Sequence, residues 1–149
     1  MRWDRVVAAQ RAVLVRDGRI VAAGKVATPA GVVRHDHPES AVVGAGVVLG
    51  ISAAADATAA LAQALDAIPR GAVYADLATA SAGLQRSLAA TAADAGLGFT
   101  DVALMSPVHG GGLRTPALAS GPSARAFIAT MGPLGMPVEH AGDEPGMAA

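Results

Sequence analysis

Short apolar runs alternate with longer stretches of helical periodicity along most of the chain. Runs that are largely apolar occupy residues 46–51 (GVVLGI), 72–77 (AVYADL) and 99–105, and a shorter run occupies residues 19–23. Continuous apolar runs of this length are typical of strands that are covered on both faces. Apolar positions at helical spacing predict helices over residues 56–68, 82–95 and 124–131. The alternation predicts an α/β fold in which helices cover a mostly parallel sheet.

The two ends of the chain carry less regular patterns. Residues 5–16 place apolar side chains near one helical face and stop at Asp17-Gly18, which favours a helix, although Val13 to Val15 also suit a strand. Residues 136–140 contain Pro137, which predicts a last strand at an edge of the sheet. We therefore expect all 149 residues to form a single domain.

Composition excludes several classes of protein. Hydrophobic residues make up 52% of the chain and charged residues 15%, which argues against disorder. The net charge is −1 and basic residues are not clustered, so nucleic acid and anionic membrane surfaces are not expected as partners. No apolar run approaches the roughly 18 residues of a membrane span, and there is no cysteine. These features predict a soluble, cytoplasmic protein.

The most distinctive stretch is the glycine-rich segment after the 99–105 run. It contains His109, Gly110, Gly111 and Gly112, and Pro107 and Pro116 lie on either side. Adjacent glycines let another molecule approach the backbone closely, which suits a loop that holds an anionic small molecule. The same residues also suit a solvent loop that uses glycine only for its shape.

Four segments are expected to meet at one edge of the sheet, because the carboxyl ends of parallel strands lie together. They are Gly24-Lys25, Ile51-Ser52, residues 76–79 and the His109 loop. Two of them carry a family resemblance. Asp76-Leu77-Ala78-Thr79 is similar to a D-x-S-T motif, and residues 106–111 (SPVHGG) are similar to an A-P-V-S-G-G motif. With these motifs, residues 76–146 resemble the cofactor-binding domain of the beta-hydroxyacid dehydrogenases, particularly the 6-phosphogluconate-dehydrogenase-like members.

The resemblance implies a Rossmann-like three-layer fold that binds NAD or NADP, together with a small hydroxyacid substrate. It also implies roles for particular residues. Substrate-binding positions are His109, Gly110 and Gly111, and cofactor-binding positions are Lys25, Ile51, Ser52, Ala53, Asp76 and Thr79. Other roles remain open: Thr79 as a helix N-cap, Asp76 as a turn residue, and Lys25 and His109 as solvated side chains. The pair His35 and His37 suits a solvated loop better than a metal site.

The sequence departs from the family pattern in two respects. It has no G-x-G-x-x-G turn, which in the family receives the cofactor pyrophosphate, and no lysine follows Lys25, whereas the family's catalytic lysine lies beyond this domain. We therefore expect a Rossmann-like fold that is incomplete at its N-terminal edge, weak cofactor binding, and a partial dehydrogenase with no catalytic residue of its own. The alternatives are a non-catalytic nucleotide-binding or self-associating interaction module, and a gene-model fragment.

Overall fold

A computed structural model describes residues 12–16, 19–22, 33, 35–108 and 111–149. The described part forms one seven-stranded sheet with helices packed on it. The strands are β1 (Ala12–Arg16), β2 (Arg19–Ala22), β3 (Val47–Gly50), β4 (Val73–Asp76), β5 (Gly98–Leu104), β6 (Ala117–Ser120) and β7 (Val138–Gly142). The α-helices are α1 (Pro38–Val42), α2 (Ala57–Ala64), α3 (Ala82–Asp94) and α4 (Ala124–Met131).

The sheet has the order β2-β1-β3-β4-β5-β6-β7. Strands β3, β4 and β5 are parallel, β6 is antiparallel to β5, and β7 is parallel to β6. Three of the four pairings from β3 to β7 are therefore parallel. The predicted α/β class with a mostly parallel sheet is confirmed for these five strands, and β1 and β2 add an antiparallel hairpin beside β3.

Two apolar clusters on opposite faces of the sheet give the fold three layers. Alternate residues of each strand point to opposite faces, so Val48, Tyr74 and Phe99 pack under α1, α2 and α3. Leu49 and Ala75, from the same strands, face the cluster that contains Phe127 of α4. The predicted three-layer arrangement is confirmed.

The prediction of a helix over residues 5–16 is wrong for the part that the structure describes. Ala12–Arg16 is a strand that pairs with β2 on one side and with β3 on the other. The β-branched residues in the Val13-Leu14-Val15 run favour a strand, and Asp-Gly is a common connection in two-residue hairpins. The Asp17-Gly18 dipeptide therefore indicated a hairpin rather than the end of a helix.

The other elements agree with the sequence pattern to within a few residues. The helix predicted over residues 124–131 has those limits, and α3 begins after Ser81, whose Oγ accepts a hydrogen bond from the Leu84 N–H at 3.3 Å. The helix predicted over residues 56–68 is divided, because short 3-10 turns precede and follow α2. The last strand is at the sheet edge as predicted. Within the described ranges, no helix has the length and apolar character needed to cross a bilayer.

Gly50, at the end of β3, lies against the buried aromatic pair of the core. The rings of Tyr74 and Phe99 are stacked with their centroids 6.5 Å apart. A Cβ atom added to Gly50 would overlap the Tyr74 hydroxyl and lie 2.8 Å from Tyr74 Cζ and 3.1 Å from Asp76 Oδ1. Glycine is therefore the residue that lets Tyr74 occupy its place in the core.

We expect Gly50→Ala to destabilise the protein by roughly 1–3 kcal/mol, the usual cost of overpacking a buried site. Tyr74→Phe removes the hydroxyl that the new methyl group would meet, so the double variant should recover part of that loss. Chemical denaturation of the four proteins measures the coupling. Gly46→Ala is the control, since its Cβ would have no neighbour within 4 Å. Additive effects of the two substitutions would contradict this account.

Candidate functional site

The carboxyl ends of β3, β4 and β5 form one edge of the sheet, and three of the predicted segments follow them. In the register of these strands Gly50 lies beside Asp76, and Asp76 beside Asp101. The connections at residues 51–53, 77–81 and 105–116 therefore begin at the same edge. Lys25, His109 and Gly110 lie outside the described residues.

The glycine-rich segment is a compact loop with its own hydrogen bonds. It is closed at its base by the bond from the Met105 N–H to the Pro116 carbonyl, 2.8 Å long. The N–H groups of Gly111 and Gly112 donate to the Val108 carbonyl at 3.1 and 3.0 Å. A Cβ at Gly111 would lie 3.0 Å from Thr115 Oγ1. In this conformation the missing side chain of Gly111 leaves room for Thr115, and the Gly111 N–H is already engaged.

The loop after β3 exposes two apolar side chains and buries one hydroxyl. Ile51 is 38% exposed and Ala53 is also exposed. Ser52 Oγ is buried and has no hydrogen-bond partner among the described residues. An unpaired buried hydroxyl costs free energy, and because Ser52 Oγ is buried it would reach a ligand only if this loop opened.

Thr79 is exposed and does not cap a helix. The cap of α3 is Ser81, whose hydroxyl binds the Leu84 N–H and whose carbonyl accepts the Gln85 N–H at 3.0 Å. The alternative interpretation of Thr79 as the N-cap is therefore wrong. Thr79 lies at the carboxyl edge, two residues before Ser81, the N-cap of α3.

Asp76 lies beneath the turn at residues 77–81, in the interior of the protein rather than at its surface. The residue is fully buried, and its Oδ2 accepts a hydrogen bond of 2.8 Å from Gln85 Nε2 of α3. Gln85 Nε2 also lies 3.4 Å from the Ala78 carbonyl, and the Ala78 N–H donates to the Asp76 carboxylate. Asp76 and Gln85 thus hold the turn that carries Thr79, and a direct contact between Asp76 and a cofactor would require this turn to open.

Burial raises the pKa of Asp76 to about 6, and nearby Asp101 adds to the rise, while the hydrogen bonds from Gln85 and Ala78 oppose it. Asp76 Oδ1 and Gln85 Oε1 are buried without partners in the described part of the chain. Gln85 was absent from the sequence-based set of site residues. Its position in α3 follows the helical pattern of a buried side chain, but no motif links it to Asp76.

The described residues contain no group of three or more His, Cys, Asp or Glu side chains placed to hold a metal ion. His35, which precedes α1, has its Nδ1 3.0 Å from the Oγ of Ser40, which lies within α1. His140 is in β7, the edge strand of the sheet, and its Nε2 lies 3.0 Å from Asp143 Oδ1. Both histidines therefore have partners of a kind found in ordinary surface structure.

Solved structures share this arrangement. A conserved hypothetical protein from Sinorhizobium meliloti 1021 has 28% identity and a TM-score of 0.74, with 79% of this chain and 39% of that chain covered. A Mycobacterium tuberculosis 3-hydroxyisobutyrate dehydrogenase with L-serine has 22% identity and a TM-score of 0.69, with 79% and 42% covered. An imine reductase from Myxococcus stipitatus in complex with NADP+ has 23% identity and a TM-score of 0.66, with 79% and 43% covered.

The chain has the fold of a hydroxyacid-dehydrogenase-like NAD(P)-binding domain. The resemblance seen in the sequence is thereby confirmed, although no protein-family model and no curated protein matches the chain. The two neighbours below 25% identity support the fold alone. The chain spans only about two fifths of the length of the solved structures that it matches.

We expect stability to fall as pH rises from about 4 to above 6, because Asp76 holds its proton more tightly in the folded than in the unfolded chain. The pKa increase to about 6 corresponds to roughly 3 kcal/mol that is present at acid pH and lost above the folded pKa. Asp76→Asn removes this titration and should flatten the profile in that range. Urea denaturation at several pH values measures the slope.

The control is Thr100→Val, which removes a buried hydroxyl bound to the Ser120 carbonyl at 3.0 Å and leaves Asp76 intact. It should lower stability at every pH and keep the wild-type slope. An Asp76→Asn profile as steep as that of the wild type would show that Asp76 does not carry the pH dependence.

Proposed function

We propose that this chain forms the cofactor-binding portion of an NAD(P)-dependent oxidoreductase that acts on a small β-hydroxyacid. The main support is the convergence of the 51–53, 77–81 and 105–116 connections at the carboxyl edge of β3, β4 and β5. Open α/β sheets bind their ligands at this edge. Structural neighbours with the same fold are complexes with NAD+ and NADP+.

In this proposal the loop after β3 and the turn after β4 contact the dinucleotide. Ser52 supplies a buried hydroxyl without a partner in the described structure, and Thr79 supplies an exposed one. Asp76 positions Thr79 through Gln85, and Ile51 and Ala53 offer apolar contact. Lys25, whose surroundings are not described, is proposed as a cofactor contact from the sequence alone.

The hydroxyacid is proposed to bind at the glycine-rich loop, at His109, Gly110 and Gly111. Arg114 is exposed in the same loop and could add a positive charge near a carboxylate. We propose that the chain does not turn over substrate by itself. Hydride transfer to or from an alcohol carbon needs a proton-transfer group in contact with the substrate, and the proposed contacts include hydroxyls and one histidine without an assigned orienting partner. The cytoplasmic location stays a prediction.

We expect isothermal titration calorimetry to detect NADH or NADPH binding with a dissociation constant in the high micromolar to millimolar range, since no G-x-G-x-x-G turn is available for the pyrophosphate. Ser52→Ala and Thr79→Ala should each weaken binding severalfold. Thr91→Ala is the matched control, because Thr91 lies near the other end of α3 and binds the Ser87 carbonyl. A folded protein that gives no heat with either nucleotide at millimolar concentration would exclude the cofactor role.

A second candidate function, a self-associating module, is favoured by the apolar side chains of the glycine-rich loop. Met105 is 57%, Val108 49% and Leu113 39% exposed. Three large apolar side chains on one loop form a surface that favours association.

We expect sedimentation velocity to show self-association that strengthens with protein concentration and is lost in a Met105→Asp/Leu113→Asp variant, because charged groups are costly to bury without partners. Val43→Asp is the control, since Val43 is 53% exposed but precedes β3 at the opposite edge of the sheet. A wild-type protein that remains monomeric at high concentration would argue against this module.

A further inference from the structure

Gly50 and Asp76, at the ends of β3 and β4, lie in one row across the sheet. The row continues into β5 and β6 as a buried pair, Asp101 and Ser120, which belongs to neither of the two motifs in the sequence. Asp101 of β5 lies opposite Ser120 of β6, and both residues are at most 1% exposed. Ser120 Oγ donates a hydrogen bond to Asp101 Oδ2 at 3.1 Å. A serine and a carboxylate are thus fixed side by side in the sheet, on the face that carries α3.

Three consecutive backbone N–H groups near the C-terminus converge on this pair. The N–H groups of Met147 and Ala148 donate to Ser120 Oγ at 3.1 and 3.0 Å. Those of Gly146 and Ala148 donate to the Asp101 carboxylate, and these bonds oppose the rise in its pKa that burial causes. Backbone N–H groups that converge on one carboxylate form a concave anion site, and here the carboxylate is the Asp101 side chain of the same protein, bound by Gly146 and Ala148.

Gly146 fits this arrangement as no other residue would. Its φ of +89° lies in the left-handed region that favours glycine. A Cβ at Gly146 would lie 2.8 Å from both Cα and Cβ of Ala82 and 2.9 Å from the Ala82 carbonyl oxygen. Ala82 is the first residue of α3, so the segment packs directly on the turn that follows Thr79.

We infer that Asp101 and Ser120 are positioning residues that seat residues 146–148 against the first turn of α3, and that this seated segment forms a wall of the nucleotide site. The first part depends only on the hydrogen bonds and packing of the segment. The second part rests on the proposed cofactor function. The seat recognises backbone N–H groups and requires glycine at position 146, whereas the side chain of Met147 remains 57% exposed.

Amide hydrogen exchange by NMR on the full chain tests the seat. Ser120→Ala should speed exchange of the Met147 and Ala148 amides by roughly tenfold, as expected when a buried hydrogen bond is lost. Thr91→Ala, which removes a hydroxyl bound to the Ser87 carbonyl within α3 and away from Asp101 and Ser120, should leave these amides protected. Unchanged exchange at Met147 and Ala148 in Ser120→Ala would contradict the inference that Ser120 holds residues 146–148 in place.

Gly146→Ala provides an independent variant if Ser120→Ala does not fold. It should release all three amides, and the control is Gly135→Ala, because Gly135 also has a positive φ, +94°, but its Cβ would meet nothing within 4 Å. Release by both variants alike would show that a general loss of stability, rather than the loss of the fit against Ala82, exposes these amides, and would overturn the requirement for this contact.

Titration of the same variants with NADPH tests the wall. Ser120→Ala and Gly146→Ala should weaken binding severalfold relative to Thr91→Ala and Gly135→Ala. Faster exchange with unchanged nucleotide affinity would contradict the inference that residues 146–148 border the nucleotide site. It would still support the inference that Asp101 and Ser120 position these residues. If the wild-type protein binds neither NADH nor NADPH, the cofactor function and the wall both fail, while the exchange rates still decide the seat.

Discussion

The in-register row formed by Gly50, Asp76, Asp101 and Ser120 separates the apolar core from the candidate site. One step below it, Val48, Tyr74 and Phe99 form a row of hydrophobic side chains on the same face of the sheet. Parallel pairing of β3, β4 and β5 brings Gly50, Asp76 and Asp101 into line, so a shift of one residue in β4 or β5 would place a carboxylate on the opposite face. The position of the site therefore depends on strand register.

Two buried carboxyl groups on adjacent strands are costly, and the structure offsets this cost in two different ways. Asp76 is bound by the side chain of Gln85 and by the Ala78 N–H, which ties the first turns of α3 to the sheet. Asp101 is bound by Ser120 and by the backbone of the C-terminal segment. A hydrogen bond to a charged group stabilises by about 1.5–3 kcal/mol, so each carboxyl group organises the segment that covers it.

Sequence patterns predicted the elements whose periodicity is unambiguous. The limits of α4 follow from apolar spacing, whereas the cap of α3 is Ser81 and not Thr79. The strand β1 was misassigned because three apolar residues in a row satisfy both helical and extended patterns. The orientation of β6 depends on a long loop between β5 and β6, and loop length alone does not distinguish a hairpin from a crossover.

The candidate site was only partly predictable for a related reason. The apolar run 46–51 places Ser52, and the motif at residues 76–79 places Thr79, on connections after strands, and strand direction then brings those connections to one edge. Whether a polar side chain points outward or into the core depends on register, which the residue type does not reveal. Asp76 was assigned to the cofactor for its place in a motif, whereas its buried bond to Gln85 depends on a residue nine positions away.

This separation of core and edge has a consequence for how the fold can carry different activities. The 105–116 loop is closed by its own hydrogen bonds between Met105 and Pro116, and Thr115 Oγ1 donates to the Gly112 carbonyl at 2.8 Å. Substitutions above the polar row can thus change the ligand without disturbing the apolar row below it. The neighbours fit this view, since a hydroxyisobutyrate dehydrogenase and imine reductases share the fold with this chain at 16–23% identity. In this fold the loops are therefore where ligand specificity can vary, and the row is what sets stability.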